Sequence, residues 1–260
     1  YFSCCSSEKT HLSFNGLNKM AERLKKEFPE VPVMAMSDDL SCKETNDLSY
    51  IDIWCSRMLV QSPKKVEAAR KAGCQIWWQV NNNPYCPDPI FLLENRPDSG
   101  RVFAGVLAAK FRPDGLLYDN MTETWEGNSF LSNGPLTDWD VEGSDLIGAE
   151  EKVSCHGGGL LVYPDADRNL LASLRLENFR DGLDDLHYIL LAEKRLQELK
   201  AKTELTNAEK MWIARAEHLL PIPESIVRNQ REYATGSELI AYRNALGMLL
   251  ADDPQWQQQK

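Results

Sequence analysis

No stretch of this 260-residue chain concentrates lysine and arginine without carboxylates close by, and 39 acidic against 29 basic side chains leave a formal net charge of −10. A nucleic-acid binder needs a basic footprint that displaces condensed counterions, so nucleic acid is not expected as a partner, and neither is an anionic membrane surface. Long apolar runs are also missing. Stretches such as Tyr188 to Ala192 fall far short of the roughly 20 residues that span a bilayer. The seven cysteines (Cys4, Cys5, Cys42, Cys55, Cys74, Cys86, Cys155) are odd in number and lack paired CxxC spacing, which excludes a zinc ribbon or a regular disulfide framework. Cys55 and Cys74 sit inside apolar runs, where a free thiol acts as a small hydrophobe. His11, His156, His187 and His218 show no metal-ligand spacing, so neither a metal nor a cofactor is expected. No glycine-rich loop follows an apolar strand: Gly157-Gly158-Gly159 precedes the run Leu160–Tyr163, and dinucleotide binding loses its support. The opening Tyr1-Phe2-Ser3-Cys4-Cys5 has no initiating methionine, basic flank or long apolar core, and reads as the interior of a longer chain.

What remains is ordinary globular material, 43% apolar and 26% charged, enough for one large domain or two small ones. Up to about residue 120, short β-rich runs alternate with amphipathic stretches, the signature of a parallel sheet with crossover helices. Strands are expected at Tyr1–Ser6, Val31–Ser37, Tyr50–Cys55, Gln75–Val80 and Gly115–Tyr118. The first helix carries Leu12, Leu17, Met20, Ala21, Leu24 and Phe28 on one face and ends at Pro29. A second is capped by Ser62-Pro63 and stops at Gly73, and a third runs from about Gly100 to Phe111. Five strands in β-α order match the second half of a (β/α)8 barrel, with a small open doubly wound sheet as the alternative.

Between Asp119 and Glu151 there are nine carboxylates and no lysine or arginine, with Trp125 and Trp139 among glycines. Irregular segments of this length are binding loops or lids, or else solvated acidic surface. After a strand at Leu160–Tyr163 come helical stretches at Ser173–Lys200, Asn207–Leu220, Pro223–Tyr233 and Ser237–Ala251. The expected organisation is a partial α/β barrel over residues 1–200, with an acidic loop at 119–151, and a helical extension over 201–260.

Four segments in order resemble the C-terminal catalytic region of glycoside hydrolase family 123, also described as domain-of-unknown-function family 4091. They are Tyr50-Ile51-Asp52-Ile53-Trp54; Gly73-Cys74-Gln75-Ile76-Trp77-Trp78 leading to Pro84; Asp114-Gly115-Leu116-Leu117-Tyr118 leading to Trp125; and Leu161-Val162-Tyr163-Pro164 followed by Ser173–Glu177 and Arg180-Asp181-Gly182-Leu183-Asp184-Asp185. The resemblance implies an upstream β-sandwich and first barrel half, and an enzyme acting on terminal β-linked N-acetylgalactosamine in a glycan or glycoconjugate.

In that family an Asp-Glu pair ends a barrel strand. The substrate's own acetamido oxygen attacks the anomeric carbon, the Asp orients the acetamide, and the Glu protonates the leaving oxygen and later activates water, a departure from the ordinary two-carboxylate scheme. The matching place here is Ser7-Glu8, so the resemblance implies Glu8 as the acid and Ser7 in place of the Asp. A serine can hydrogen-bond the acetamide but brings no charge to the developing oxazolinium, and a hydrogen bond to a charged group is worth roughly 1.5–3 kcal/mol. Read without the resemblance, Glu8 is an exposed residue in the first turn of a helix.

Asp38-Asp39, after the strand Val31–Ser37, reads as a turn and helix cap, with a contiguous carboxylate pair at a strand end as the competing reading. Asp119 follows another strand, where it either supplies a charge or holds the acidic loop. Sugars stack their C–H faces on aromatic rings while their hydroxyls take polar partners. Trp78, Tyr118 and Trp125 are the candidate platforms, with Asn81, Asn82, Asp119 and Asn120 as polar neighbours; core packing is the alternative for the rings. Only one of Trp77 and Trp78 can face a barrel interior. The spacing of Arg175, Arg180, Asp184 and Asp185 on a helix points to internal ion pairs rather than catalysis.

Overall fold

A computed structural model describes residues 12–36, 50–58, 61–80, 99–118, 161–164, 167 and 169–257. It is mixed α/β and divides into two compact units, one holding described residues up to 80 together with 113–118, the other holding 99–112 and those from 161 onward. The contacts therefore group residues 174–200 with the C-terminal helices. No helix of the described residues is long and apolar enough to cross a membrane.

The first unit is built on a four-stranded, all-parallel sheet whose spatial order follows the chain. Its strands are β1 (Met34–Met36), β2 (Ile53–Arg57), β3 (Gln75–Val80) and β4 (Gly115–Tyr118). The last two have the bounds that the sequence pattern predicts, whereas β1 is shorter than expected and β2 is displaced toward Arg57. Helix α1 (Leu12–Glu27) precedes β1 and helix α2 (Pro63–Lys71) precedes β3. Pro63 opens α2 because its missing N–H would be unsatisfied there in any case. The Ser62 hydroxyl accepts from the Lys65 N–H at 3.3 Å, and Gly73, at φ +82°, takes the left-handed conformation beyond the end.

Side chains alternate across each strand, so the sheet has two distinct faces. One packs against the helices, gathering Ala35, Trp54 and Ile76 with Ala21 and Leu24 of α1 and Val66 and Ala69 of α2. Its opposite carries Met34, Ile53 and Cys55, with Met36, Trp77 and Leu117 against them. Met20 and Phe28, expected on the buried face of α1, are exposed, while Ala21 and Leu24 pack into the core.

Two carboxylates clip the N-terminal edge of the sheet in the same way. Asp52, just before β2, accepts the Val33 N–H at 2.7 Å and pairs with Lys25 of α1 at 2.7 Å. Asp114, just before β4, accepts the Ile76 N–H at 2.8 Å and lies 3.7 Å from Arg70 of α2. Each Asp thus satisfies an N–H at the start of a neighbouring strand while a cation from the preceding helix offsets its charge.

The second unit is mainly helical. Residues Ser99–Val102 (α3) and Ala108–Phe111 (α4) flank a fully buried π-helical turn, Phe103–Leu107. A two-stranded antiparallel hairpin, β5 (Val162–Pro164) and β6 (Leu170–Ala172), leads into α5 (Leu174–Lys200), whose N-cap Ser173 accepts from the Leu176 N–H. Helix α6 (Asn207–Leu219) starts with a reciprocal capping box between Thr206 and Glu209. Helix α7 (Gly236–Ala251) and the short α8 (Pro254–Gln257) follow.

Small residues let α3 and the π turn approach α5 closely: a Cβ on Gly182 would stand 2.6 Å from the carbonyl oxygen of Arg101 in α3, and one on Gly105 of the π turn would stand 3.0 Å from the Gly182 oxygen. Trp212 of α6 donates its indole N–H to the Leu249 carbonyl of α7 at 2.8 Å. The helix expected over Pro223–Tyr233 is not formed. Asn229 accepts the N–H groups of Arg231 and Glu232 at 2.8 and 2.9 Å, and an isolated antiparallel bridge joins Val227 to Tyr233. A side-chain acceptor that satisfies local N–H groups competes directly with the helical ladder.

Candidate active site

In a parallel sheet, ligands and chemistry gather at the carboxyl ends of the strands. Here those ends are Met36, Arg57, Val80 and Tyr118. The expected residues Ser7, Glu8, Asn81, Asn82, Asp119, Asn120 and Trp125 lie outside the described residues, as do Asp38 and Asp39. Trp78 and Tyr118 lie within them.

Trp78 lies on the face shared with Ser56 and Ile76, the face toward the helices, and is 2% exposed. Its indole N–H donates to the Gln61 side-chain oxygen at 3.0 Å. The Gln61 amide in turn donates to the Ser56 hydroxyl at 2.8 Å and to the Trp77 carbonyl at 3.2 Å. A ring enclosed in this way offers no face to a sugar, so core packing, the alternative weighed for it, describes Trp78. Gln61 went unnoticed in the sequence because a lone amide after a strand carries no pattern. Tyr118, at the end of β4 and partly buried, pairs in register with Val80.

Trp77 takes the opposite face. Its indole N–H donates to the Gln75 side-chain oxygen at 3.1 Å, and its ring fills the space above Gly115, its partner in register. Both neighbours begin their strands, so this ring points to the N-terminal half of the sheet.

At the carboxyl ends, the face that carries Ile53, Cys55 and Trp77 continues to two polar residues, Arg57 and Gln79, directly paired in register on β2 and β3. Both are partly buried. Alternation from Ile53 through Cys55 to Arg57 is legible in the sequence once β2 is known to reach residue 57.

The carboxylates Asp52 and Asp114 stand at the other edge, engaged with backbone N–H groups. The family-like helical motif is also structural in its contacts. Arg180 pairs within its own helix with Glu177 and with Asp181 at 3.2 Å. Asp185, 3% exposed, reaches other elements: Arg101 donates to it twice, at 2.6 and 3.1 Å, and Arg243 approaches to 3.2 Å while lying over the Tyr188 ring. Burial holds the Asp185 carboxyl above its ordinary pKa even though both guanidinium groups pull it down. Arg175 donates to the Tyr163 hydroxyl at 3.2 Å. Among the described residues no group of three or more His, Cys, Asp or Glu side chains is placed to hold a metal ion.

No protein-family model matches the sequence, and no curated protein matches it. Among solved structures, the fold is similar to that of a family 123 glycoside hydrolase from Clostridium perfringens, an enzyme studied for its hydrolysis of glycolipid glycans. The TM-score is 0.53 and the identity 14%, over 96% of this chain. The match takes in 40% of that enzyme, so the chain spans less than half of its length. This is the family that the four sequence segments resemble, and the likeness lies in the fold.

Proposed function

We propose that the chain is a glycoside hydrolase segment, the C-terminal half of a (β/α)8 barrel over residues 1–200 followed by a helical extension over 201–260. The observation that carries this reading is the parallel sheet in chain order within a chain that aligns along 96% of its length with a family 123 glycoside hydrolase. The substrate is a terminal β-linked N-acetylgalactosamine, cleaved with retention by participation of its own acetamide. Glu8 is the acid and base, Ser7 the residue beside the acetamide, and Tyr118, Trp125, Asn81, Asn82, Asp119 and Asn120 the binding groups. Half a barrel leaves sheet edges to be paired, so activity requires the rest of the barrel upstream.

Release of chromophore from an aryl β-N-acetylgalactosaminide by the full-length protein tests the reading, and unchanged turnover in Glu8→Gln removes Glu8 from the mechanism. Ser7, which brings no charge, favours a second reading: a carbohydrate-binding protein that keeps the fold without the chemistry. Calorimetric binding of N-acetylgalactosamine without hydrolysis selects that reading, and robust hydrolysis excludes it.

A further inference from the structure

We infer that Gln61 is a positioning residue for the sugar site: from the helix-facing side of the sheet its side-chain amide locks the carboxyl-end halves of β2 and β3 together, and through β3 it sets where the ring of Tyr118 stands on β4. The inference rests on the hydrolase reading of this edge. Gln61 lies in the connection from β2 to α2, with its own N–H donating to the Met58 carbonyl at 3.2 Å and Ser62 directly after it capping the helix. It is 6% exposed, and its amide reaches both strands. The amide nitrogen donates to the Ser56 hydroxyl at 2.8 Å and to the Trp77 carbonyl at 3.2 Å, while the amide oxygen accepts the Trp78 indole N–H at 3.0 Å. Ser56 and Trp78 are direct register partners, close to the strand ends at Arg57 and Val80.

Stability alone does not call for an amide at this place. Apolar side chains of similar shape fill such a space without the desolvation that a buried amide costs. Among the described residues of the first unit, Ser56 and Gln61 are the fully buried polar side chains, on a face otherwise built from Ala35, Trp54 and Ile76. A satisfied polar network differs from apolar packing in fixing one geometry, because a shift of either strand strains several directional bonds at once. From Trp78 that geometry runs two residues along β3 to Val80, the register partner of Tyr118. Tyr118 is the ring that the hydrolase reading sets against the sugar, at the end of the strands where barrel chemistry occurs. Gln61 touches no sugar in this account and acts through the placement of that ring. Ring contact of this kind binds substrate and transition state alike, so its loss raises KM and leaves kcat nearly unchanged.

The experiment compares the full-length protein with Gln61→Leu, Gln61→Glu and the triple variant Ser56→Ala/Gln61→Leu/Trp78→Phe. The triple variant removes the three side-chain polar groups together, so none is stranded and stability is separated from positioning. Hydrolysis of an aryl β-N-acetylgalactosaminide gives KM and kcat, calorimetry gives the affinity for N-acetylgalactosamine, and melting temperature controls for folding. The expected result for Gln61→Leu is a rise in KM of about fivefold or more with a matching loss of affinity, and kcat within about twofold. Gln61→Glu, which keeps an acceptor for the Trp78 indole, recovers part of the loss. The triple variant melts close to the unaltered protein and still shows the raised KM. Folded variants with unaltered KM and affinity overturn the positioning role and leave the hydrolase reading standing, as does a loss of activity that merely tracks the folded fraction. Affinity that depends on Gln61, in a protein that hydrolyses nothing, supports the positioning role and removes the hydrolase reading. An unaltered protein that neither binds nor hydrolyses overturns both. Should Gln61→Leu not fold, Gln61→Glu and the triple variant decide on the same measurements.

Discussion

The indole of Trp77 occupies the space that a side chain at Gly115 would need: a Cβ there would stand 2.3 Å from Cε2 and 2.4 Å from Cδ2 of the ring. The two residues face each other in register on β3 and β4, so the glycine is what allows the large ring to lie across the neighbouring strand. Gly115→Ala forces ring or strand to move, and overpacking of this kind costs about 1–3 kcal/mol. Chemical denaturation measures the loss. In a Trp77→Leu background the same alanine costs clearly less, because the atoms it would meet are gone; an equal cost in both backgrounds refutes the coupling.

The paired clips at the N-terminal edge predict a separation of stability from activity. Asp52→Ala frees the Val33 N–H and leaves Lys25 without that partner; Asp114→Ala does the same to the Ile76 N–H and Arg70. Each lowers stability by about 1–3 kcal/mol, the cost of stranding a polar group that a charged acceptor had satisfied. Both carboxylates stand at the edge away from the strand carboxyl ends, so under the proposed hydrolase reading kcat/KM per folded molecule in the aryl β-N-acetylgalactosaminide assay stays at its unaltered value. A large drop in kcat/KM with stability intact would place one of them in the chemistry instead.

Sequence and structure agree most closely where a local rule is strong. The cap Ser62-Pro63, the stop at Gly73, the long helix up to Lys200 and the runs Gln75–Val80 and Gly115–Tyr118 all form as their residues dictate. Agreement weakens where two readings share one pattern. Residues 223–233 carry helical periodicity, but Asn229 satisfies nearby N–H groups from its own side chain and a turn results. The adjacent tryptophans 77 and 78 had to take opposite faces, yet which of them meets the helices depends on packing against Trp54, Ile76 and the remote Gln61. Arg57 was hidden because β2 extends past Cys55, where the sequence places its end.

In the helical unit, ion pairs that look alike in sequence differ sharply in worth. Asp185 is buried against Arg101 and Arg243, so Asp185→Ala leaves the desolvated Arg101 without its bidentate partner. Breaking such a pair costs roughly 3–5 kcal/mol. Arg180 sits two-thirds exposed beside Glu177 and Asp181, and Arg180→Ala costs under about 1 kcal/mol, in keeping with exposed pairs. Thermal denaturation of the two variants side by side checks the ranking, which fails if the losses are equal.

The final prediction concerns acid. Glu209, at the third position of α6, accepts from Lys202 at 2.6 Å and from both the backbone N–H and the hydroxyl of Thr206, at 2.9 and 3.0 Å. The Lys202 ammonium, followed by the Thr206 N–H, holds its carboxyl at a pKa of about 2 against an ordinary 4.5. A carboxylate that is harder to protonate when folded stabilises the fold fully above its unfolded pKa, and that contribution disappears as pH falls through the folded one. Stability drawn from Glu209 is therefore complete above about pH 4.5 and is lost progressively down to about pH 2. Glu209→Gln keeps an acceptor for the Thr206 N–H, so the capping box survives in part, but it loses the charge that Lys202 answers. The difference in stability between the unaltered protein and Glu209→Gln, measured by urea unfolding at neutral pH and at steps below pH 4.5, shrinks toward zero as acid is added. A difference that stays constant across that window shows that Glu209 acts through its shape alone.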